Sequence, residues 1–576
     1  MGKARSRTRA VLSIMTNNEI VAGILLELAD LVDLKGDEPY KSRAYRLAAD
    51  RILRLPEDVA IVAAEGRLKE IPGVGDAIAN KIGEILATGT LRLRDRLRQE
   101  IPPGVMDLLH VPGIGPRTAS LLFKAGITSL GELRAGLDDG RLFGIRGLGP
   151  KKLENLRQDV ERYLAFRTRL PAGDLWPVAG AVAGWVAAKP GVVRVDVTGA
   201  LRRHAETAGG IDLVAAAEDP VELAKTFAAW EKFAEATLDD PSRASGRLPD
   251  GTPVGLVAVR PAELAPALFR TTGSEAHVRH VEALIQARGL RLDEATFDDE
   301  QAIYAAAGLV FVPPELREDR GEVELASKGE LPVLVERKDL QGDLHCHTTY
   351  SDGTSDLEAM AIAAREHGLH YLAITDHSPS LAVAHGLDRA RLMLQKKEID
   401  RLNERWSDFR LLWGMEVDIL PDGRLDMDDE TLALLDVVIA SVHTAFHLSK
   451  DAMTARVCRA LENLHVDILG HPTGRLLGRR DPYEIDLDEV IRAAAQNQVA
   501  IEINAHPWRL DLDAEHVHKA RAEGVRLVVN SDAHGPGGFD DLEWGVYVAR
   551  RGWLGPADVV NTMALPELLM WLRRRS

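Results

Sequence analysis

The pattern of apolar and polar positions changes along the chain, from helical spacing in the first part to short apolar runs in the last part. In 24–34, 44–53 and 160–166, apolar side chains recur every three or four positions, which predicts amphipathic helices. From about residue 340, apolar runs that end in a polar side chain alternate with amphipathic segments; the runs are 370–377, 410–418, 437–443, 466–471, 499–504 and 526–534. The pattern predicts an all-α front and a back part of buried parallel strands in a barrel-like α/β fold.

The length and composition are typical of a multidomain protein from a reducing compartment. A chain of 576 residues is too long for a single hydrophobic core, and at roughly 100 to 200 residues per domain we expect about three to five domains. Two cysteines cannot cross-link a fold of this size, and no apolar run approaches the ~18 residues that span a bilayer. No secretory signal is visible, so a cytoplasmic protein is predicted.

Charge is divided unequally along the chain. Residues 1–170 carry 28 Lys and Arg against 22 Asp and Glu, whereas the whole chain carries 71 against 88, so the remainder is strongly acidic. A basic front joined to an acidic, histidine-rich back indicates phosphate contact at one end and metal binding at the other.

Three segments of the basic front each place two glycines just before a helical pattern: "IPGVGDAIANKI" (71–82), "VPGIGPRTASLL" (111–122) and "IRGLGPKKLENL" (145–156). Such a turn can approach an anion closely, with backbone N–H groups and a helix N-terminus directed at it. A single copy is equally typical of a tight connection between two helices. Three copies predict helix-hairpin-helix motifs that bind the DNA backbone. The expected DNA-binding residues are Gly73, Gly75, Gly113, Gly115, Gly147, Gly149 and Lys151.

The segments "DEPYKSRAYRLAADRI" and "LKEIPGVGDAIANKIGEILATGTL" resemble the small N-terminal domain of family X DNA polymerases. The resemblance implies that Lys81 occupies the position of the Schiff-base nucleophile in relatives with 5′-deoxyribose phosphate lyase activity. A surface contact between Lys81 and phosphate is the alternative, because a neighbouring basic position of the family pattern is Ala77 here.

The middle of the chain resembles a polymerase palm that has lost most of its metal-binding carboxylates. In "GALRRHAETAGGIDLV" (199–214), the first metal-binding Asp of the family pattern is Gly210 and the second is Asp212. The third falls on Gly255, so only one of three carboxylates remains. Because polymerisation needs two clamped metal ions, we expect weakened binding of Mg²⁺ or Mn²⁺ with a dNTP, and polymerisation that is weak or dependent on Mn²⁺.

Other nucleotide-binding positions of the family pattern are kept. Arg203 remains where relatives contact the triphosphate, and "ALFRTTGSEAHVRHVEALIQARGLRL" resembles the thumb segment that faces the nucleotide, with Gly273 and Ser274 in place. The resemblance therefore implies that Arg203, Gly273 and Ser274 bind the nucleotide.

In the back part, acidic and histidine residues follow the predicted strands one after another. They are His345, His347, Asp352, His377, Glu416, His443, His471, Asp532 and His534. A single buried histidine is usually a core residue, but a set of nine at strand ends predicts a metal cluster. Mixed nitrogen and carboxylate donors favour Mn²⁺, Zn²⁺ or Fe²⁺ over Mg²⁺, and we expect two to three ions of Mn²⁺ or Zn²⁺.

This ligand set is the signature of the PHP (polymerase and histidinol phosphatase) domain, which the chain resembles from residue 340 onward. The resemblance implies phosphodiester hydrolysis, with Glu416 bridging metal ions and with Arg475, Arg479 and Arg480 holding substrate phosphate. Residues expected to support the ligands rather than bind metal are Asn504, Asp376, Asp418, His385 and His506.

Taken together, the motifs resemble bacterial and archaeal-type family X DNA polymerases (PolX) with a C-terminal PHP domain. The implied domains are a tail (1–14), an 8-kDa-like helix-hairpin-helix domain (15–95), fingers with two helix-hairpin-helix motifs (96–170), an α+β nucleotidyltransferase palm (171–262), a thumb (263–335) and a distorted α/β barrel (340–576).

The implied function is that of a monomeric DNA-repair enzyme, associated with the bacterial nucleoid, that binds gapped, nicked or 3′-recessed DNA. The metal-dependent 3′–5′ exonuclease of the PHP domain would carry the chemistry, and cleavage at abasic sites is a further implied activity. One alternative is a fully functional gap-filling polymerase with PHP proofreading. Another is a non-catalytic scaffold for DNA ends, which the filled ligand set disfavours. A small-molecule phosphatase is disfavoured by the three hairpins.

Overall fold

The computed structural model describes residues 17–35, 39–53, 55, 57–109, 111, 113–145, 147–167 and 169–572. The predicted tail, 1–14, lies outside these residues. The chain forms two compact units, 1–167 and 168–576. None of the described helices combines the length and the apolar character needed to cross a membrane.

The first unit is all-α in its described residues, as its apolar spacing predicted. Its helices are α1 (Asn17–Lys35), α2 (Pro39–Leu53), α3 (Val59–Ala64), α4 (Asp76–Thr88), α5 (Arg92–Glu100), α6 (Pro103–Leu108), α7 (Pro116–Lys124), α8 (Leu130–Asp138) and α9 (Pro150–Arg167). Apolar side chains from Val21 to Val160 form one continuous core, so the hairpins lie on a single packed body.

The second unit begins with the palm, which consists of β1 (Leu170–Pro171), α10 (Ala172–Ala187), β2 (Val192–Val197), α11 (Gly199–Arg202), β3 (Thr207–Ala208), β4 (Ile211–Ala217), α12 (Pro220–Ala228), β5 (Glu235–Asp240), β6 (Arg243–Arg247) and β7 (Pro253–Val259). Five of these strands form one sheet in the order β2-β4-β7-β6-β5. Strands β4 and β7 are parallel, and Asp212 is the direct cross-strand partner of Gly255.

The thumb follows as four helices, α13 (Leu264–Thr272), α14 (Glu275–Ala287), α15 (Glu300–Ala307) and α16 (Glu322–Lys328). Its core includes a buried polar network in which the imidazole of His277 contacts Glu322 and lies 2.8 Å from the hydroxyl of Tyr304. Since each ring nitrogen has a partner, the network satisfies the buried imidazole and fixes how α14, α15 and α16 pack together.

The last part of the unit alternates strands and helices. Its strands are β8 (Gly342–Asp343), β9 (Tyr371–Ile374), β10 (Arg410–Asp418), β11 (Val437–Ser441), β12 (Ile468–Leu469), β13 (Ala500–Asn504) and β14 (Leu527–Asn530). Its helices are α17 (Leu357–Glu366), α18 (Arg389–Asn403), α19 (Asp429–Leu432), α20 (Lys450–Leu461), α21 (Leu487–Asn497), α22 (Ala514–Ala522), α23 (Leu542–Arg551) and α24 (Leu565–Leu572). Aspartate side chains accept a hydrogen bond at several of these helix N-termini, for example Asp356 at α17 and Asp486 at α21.

All seven of these strands are parallel, in the order β14-β13-β12-β11-β10-β9-β8. The residues of β9, β11, β13 and β14 are buried along their whole length, which explains why they appear in the sequence as continuous apolar runs. A parallel bridge between Cys346 and Ala533, and a 3.0 Å bond from Leu344 N to Asn530 Oδ1, join the two ends of the sheet. The predicted distorted barrel is confirmed.

Candidate metal centre and nucleic-acid interface

The nine predicted metal ligands lie at or just beyond the carboxyl ends of the barrel strands. Because parallel strands present these ends at one edge of the sheet, residues 345 and 534 are brought together although 189 positions separate them. The donor atoms form three overlapping groups, each within 4.8 Å: His347, Asp352, His377 and His534; His345, His347 and Asp532; and His377, Glu416 and His443. The ninth residue, His471, lies beside Glu416.

Glu416 of β10 lies at the middle of the cluster, where each of its carboxylate oxygens faces histidine nitrogens. Oε1 lies 2.9 Å from His471 Nε2 and 3.3 Å from His443 Nε2. Oε2 lies 2.9 Å from His377 Nδ1 and 3.5 Å from His345 Nε2. A carboxylate between two sets of imidazoles has the placement expected of a ligand that bridges two metal ions.

His347 connects the centre of the cluster to its outer side. Its Nε2 atom lies 3.2 Å from His345 Nε2 and 3.2 Å from Asp532 Oδ1. Its Nδ1 atom lies 3.9 Å from Asp352 Oδ1, which in turn is 3.5 Å from His534 Nε2. The cluster is thus one continuous set of nitrogen and oxygen donors.

Burial and close charges shift the pKa values of these groups in opposite directions. Burial, with the positive charge of neighbouring imidazoles, lowers the pKa of His347 to about 3. Burial also opposes protonation of His377, but the carboxylates of Glu416 and Asp352 outweigh it and raise the pKa to about 10. The surrounding imidazoles outweigh the effect of burial on Glu416 and hold its pKa well below its usual value. The carboxylate of Glu416 therefore stays ionised at neutral pH, as a metal ligand must.

The residues present fit divalent metal ions. Among the described residues, four buried polar atoms of the cluster make no hydrogen bond of good geometry, although His377 Nδ1 and Glu416 Oε2 lie 2.9 Å apart: His347 Nδ1, His377 Nδ1, Glu416 Oε2 and His471 Nδ1. Buried donors and acceptors are normally paired, so such a concentration at one place is costly unless another group satisfies it. Imidazole nitrogens and carboxylate oxygens that converge without protein partners are suited to Mn²⁺ or Zn²⁺.

A second layer of side chains orients the ligands. Asp418 accepts a hydrogen bond from His443 Nδ1, and Asn504 Nδ2 donates to Asp532 Oδ2 at 3.0 Å. The carboxylate of Asp376 accepts a 2.8 Å hydrogen bond from the backbone N–H of Thr348 and a 2.6 Å hydrogen bond from its hydroxyl. Thr348 lies in the segment between the predicted ligands His347 and Asp352. Partners of this kind fix the orientation of a ligand.

The two remaining supporting candidates are placed differently. The backbone N–H of His506 donates to Asn504 Oδ1 at 3.2 Å, next to the ligand-supporting amide. The backbone carbonyl oxygen of His385 accepts a hydrogen bond from the guanidinium of Arg391. Its side chain is exposed and has no described contact with a ligand.

Glu502 is an important member of this layer that sequence reasoning missed. It is fully buried on β13, where Oε1 lies 2.7 Å from His345 Nδ1 and Oε2 accepts a 2.7 Å bond from the backbone of His471. The signal was present in "IEIN", because alternate residues of a strand share a face and Glu502 therefore lies on the same side as Asn504.

Replacing Glu502 by Gln is expected to weaken Mn²⁺ binding about 10- to 100-fold, the usual effect of losing a partner of a metal-bound histidine. Isothermal titration of the metal-free protein with Mn²⁺ measures the change. Glu515→Gln is the matched control, because Glu515 lies on the exposed side of α22. Equal affinities in Glu502→Gln and the wild type would contradict a role for Glu502 in orienting His345.

The three hairpins of the first unit share one backbone geometry. The first glycine of each pair has a left-handed φ: 88° at Gly73, 76° at Gly113 and 99° at Gly147. The second glycine directly precedes helix α4, α7 or α9, and a Cβ placed on it would meet no atom within 4 Å. Lys151 is exposed in the first turn of α9. The open second glycine leaves room for a phosphate at each helix N-terminus.

Lys81 lies on α4, in a basic cavity of the same unit. The cavity has a volume of about 720 Å³, and its cationic lining residues are Lys35, Lys41, Lys81 and Arg96. Lys81 Nζ lies 3.2 Å from the carbonyl oxygen of Ala77 and 5.6 Å from the ring centre of Tyr45. The cavity has the charge and size to receive a terminal phosphate group.

Four family models match parts of the chain. They are a helix-hairpin-helix domain over residues 16–91, a SAM-like helix-hairpin-helix tandem over 105–162, the DNA polymerase beta thumb over 267–318 and the PHP domain over 343–506. The chain is also 35% identical, over 96% of its length and 98% of the relative, to the DNA polymerase/3′-5′ exonuclease PolX of Bacillus subtilis (strain 168). The chain belongs to the PolX family.

Relatives of another kind match about a third of this PolX-family chain. A probable phosphatase of Acetivibrio thermocellus is 31% identical over 33% of this chain and 78% of that protein. A probable phosphatase of Thermoanaerobacter sp. (strain X514) is 31% identical over 38% of this chain and 89% of its own length. The PHP and polymerase domains indicate the use of divalent metal ions, for which the histidine and carboxylate groups supply ligands, and the helix-hairpin-helix domains indicate DNA binding.

In the palm of this PolX-family chain, Asp212 lies exposed on β4. Loss of solvation raises the pKa of its carboxyl, and the positive charge of Arg203 opposes the rise. Among the described residues, every group of three or more potential metal ligands lies in the PHP domain. Asp212 therefore belongs to no such group among the residues that the structure describes.

The two glycines that stand in for carboxylates differ in the space around them. A Cβ on Gly255 would lie 3.4 Å from Asp212 Oδ1, which is an ordinary contact. A Cβ on Gly210 would lie only 2.6 Å from the carbonyl oxygen of Pro253 on β7. Position 255 can therefore accept a side chain, whereas position 210 is blocked by backbone.

Gly255→Asp is accordingly expected to fold normally and to raise Mn²⁺ affinity at the palm, because it pairs a second carboxylate with Asp212. Gly210→Asp is expected to lower the free energy of unfolding by about 1–3 kcal/mol, because the added atoms overlap Pro253. Urea denaturation measures the second effect, and Mn²⁺ titration in a His345→Ala/His347→Ala background measures the first. Equal losses of stability in the two variants would contradict this account of the palm.

The predicted nucleotide-binding residues mostly contact other parts of the protein. Arg203 Nε lies 2.9 Å from Glu318 Oε1, and its Nη1 donates to Thr272 O at 2.8 Å. Ser274 caps α14, where its hydroxyl accepts a 3.1 Å bond from the backbone of His277. Gly273 is the residue between Thr272 and this cap.

The three predicted phosphate-binding arginines of the PHP domain have different surroundings. Arg475 is buried; it donates to the carbonyl oxygens of residues 509 and 510 and lies 2.9 Å from Glu206 Oε2 of the palm. Its guanidinium is thus engaged by partners within the protein. Arg479 and Arg480 are exposed, in the segment that follows the predicted ligand His471. Arg509, which sequence reasoning missed, has its Nε 3.6 Å from Asp532 Oδ2.

Proposed function

We propose that this protein is a DNA-repair enzyme whose PHP domain removes nucleotides from 3′ ends of gapped, nicked or 3′-recessed DNA. In this proposal the front unit binds the DNA and the palm contributes at most weak, Mn²⁺-dependent polymerisation. The palm and thumb act largely as a platform that places the DNA.

The contrast between the two candidate metal sites carries the proposal. In the PHP centre, the nine predicted ligands converge, and four of their buried atoms make no hydrogen bond of good geometry among the described residues. In the palm, Asp212 faces Gly255 across the strands and belongs to no group of three or more potential ligands among the described residues. Since a two-metal reaction needs several ligands held at fixed positions, the PHP centre is better equipped for phosphodiester chemistry.

The PHP residues have separate tasks in this reaction. The nine ligands would hold two to three ions of Mn²⁺ or Zn²⁺, which when bound would acidify water and offset the charge of a phosphodiester. Glu502 and Asp418 keep the histidine rings oriented through Nδ1. Arg509, beside Asp532, and the exposed Arg479 and Arg480 offer positive charge to the substrate phosphates.

The front unit would supply affinity for the DNA backbone. Its three hairpins present open glycines before helices, and its basic cavity is suited to the 5′-phosphate of a gap, with Lys81 as a phosphate contact or lyase nucleophile. We infer that the enzyme acts as a monomer at the nucleoid, in the cytoplasm.

A second candidate function is gap filling with PHP proofreading. It is favoured by the match to the DNA polymerase beta thumb and by the likeness along 96% of the chain to a relative named as both polymerase and exonuclease. In this case a dNTP would bind near Arg203, Gly273 and Ser274 with a metal ion on Asp212.

A primer on a gapped duplex, incubated with Mn²⁺ and dNTPs, distinguishes the two functions. We expect the wild type to shorten the primer, the His345→Ala/His347→Ala variant to leave it intact, and Asp212→Ala to behave as the wild type. Extension by the histidine variant that disappears when Asp212→Ala is added would instead establish the polymerase. A wild type that neither shortens nor extends the primer would refute both functions.

A further inference from the structure

Two arginine–aromatic pairs lie beside the metal centre. The guanidinium of Arg479 lies 3.8 Å from the ring centre of Trp508, and that of Arg480 lies 4.7 Å from the ring centre of Phe446. Both arginines are exposed, and both aromatic rings are partly exposed. Planar cations over aromatic faces form extended flat surfaces, on which further planar groups can stack.

The segments that carry these pairs begin at metal ligands. Phe446 follows the ligand His443, and the hairpin that carries Arg479 and Arg480 follows the ligand His471. Trp508 directly precedes Arg509, whose Nε lies 3.6 Å from the ligand oxygen Asp532 Oδ2. These side chains are therefore placed where a DNA strand whose terminal phosphodiester lies at the metal centre can contact them.

The aromatic rings are held in place from behind. Trp508 Nε1 donates a 2.9 Å bond to Asp174 Oδ1 of palm helix α10, and its carbonyl accepts a 2.6 Å bond from Leu477 N of the hairpin. Phe446 stacks on the buried ring of Tyr483, with 5.9 Å between centres and 14° between planes. Rings fixed in this way lose little conformational entropy when a ligand stacks on them.

We propose that the Arg479–Trp508 and Arg480–Phe446 pairs bind the last bases of a single-stranded 3′ end and so position its terminal phosphodiester at the metal centre. This inference rests on the function proposed above and assigns its substrate-binding subsite. Nucleobases stack on aromatic rings and on arginine planes regardless of sequence. The positive charges of the two arginines also attract the backbone phosphates. The pairs therefore supply both stacking and electrostatic attraction for a single strand.

The test compares two oligonucleotides that differ only at the 3′ end. One carries normal bases, and the other carries abasic tetrahydrofuran residues at its last two positions. Loss of stacked bases costs about 1–3 kcal/mol each, so we expect the wild type with Mn²⁺ to digest the normal end with a kcat/KM at least about 10-fold higher. Trp508→Leu is expected to remove most of this preference, and Trp508→Phe, which keeps a ring, to retain it.

Binding without metal provides a second readout. In EDTA, a 3′-terminal 2-aminopurine on a single-stranded oligonucleotide is expected to lose fluorescence when the full-length wild type binds, because stacking quenches it. Trp508→Leu is expected to abolish this quenching, whereas a 2-aminopurine at the 5′ end should be unaffected. Trp406→Leu is the matched control, because Trp406 also lies under arginines, Arg365 and Arg405, but is positioned before the amino end of β10.

The outcomes separate this inference from the function on which it rests. A wild type that digests neither oligonucleotide refutes the proposed nuclease. A wild type that digests both at equal rates, or a Trp508→Leu variant that keeps the full preference and quenching, overturns the stacking subsite alone. If Trp508→Leu does not fold, the variants Arg479→Ala and Phe446→Leu provide the test, because each removes one member of a pair. If both keep the wild-type preference for the oligonucleotide with normal 3′ bases, the inference is overturned.

Discussion

Glu416→Gln is expected to lower the rate of nucleotide release from a 3′ end by more than about 100-fold. Glu416 is the carboxylate that faces five histidines, at 2.9 to 3.5 Å, and its side chain is buried. Loss of a supporting partner alone costs about 10- to 100-fold, and Glu416 is proposed to be a ligand itself. The amide keeps the shape of the side chain but removes the negative charge that offsets a bridged pair of cations.

The same variant is expected to bind Mn²⁺ more weakly in a calorimetric titration, so the loss can be traced to the metal centre. Glu430→Gln, an exposed substitution in the short helix α19, serves as the control and should leave both measurements unchanged. Full nuclease activity in Glu416→Gln would place the catalytic metal ions elsewhere in the chain.

The second large effect is expected at the contact between palm and PHP domain. Arg475→Ala should lower the free energy of unfolding of the second unit by about 3 kcal/mol, because it leaves the Glu206 carboxylate largely buried without its partner. It also removes the donor to the carbonyl oxygens of Arg509 and Leu510, which lie in the segment between β13 and α22. The midpoint of urea denaturation measures the loss.

The loss should depend on pH in a defined direction. Burial raises the pKa of the Glu206 carboxyl, and Arg475 opposes the rise. Without Arg475 the pKa of Glu206 in the folded protein rises further above its unfolded value. A group of this kind stabilises the fold fully at low pH, and the stability falls as the pH passes the folded pKa, so Arg475→Ala should be more destabilising at pH 8 than at pH 5.

A double-mutant cycle isolates the contact. Glu206→Ala/Arg475→Ala should be less destabilising than the sum of the two single changes, because the double change leaves no unpaired charge. Arg492→Ala, on the exposed face of α21, is the control and should change stability by less than about 0.5 kcal/mol. Strict additivity of Glu206→Ala and Arg475→Ala would mean that the pair does not couple palm and PHP domain.

The sequence was most informative where function follows local periodicity. Residues such as Glu416 and His443 could be recognised because each lies in or directly after a buried apolar strand, and parallel strands bring these positions to one edge. The paired glycines of the front could be recognised for a similar reason, since Gly73 and its two counterparts need a left-handed φ that glycine adopts freely.

The same reasoning was less informative for residues whose partners are distant in sequence. Arg475 was interpreted as a phosphate ligand from its position in an arginine-rich loop, but Glu206, its partner in the structure, is 269 positions away. Glu502 was overlooked because a charged residue within an apolar run gives no indication of which histidine it will contact.

The sequence by itself determined the all-α front and the parallel barrel and predicted the nine-ligand set, because each depends on residue type at fixed spacing along a strand, helix or turn; the resemblance to family X polymerases added the predicted loss of palm carboxylates. Only the tertiary structure decided that Pro253 closes the space at Gly210, that Glu206 holds Arg475, and that Asp174 anchors Trp508 beside the metal centre. Those contacts join residues from separate elements, and their geometry depends on how whole layers pack, which no local pattern encodes.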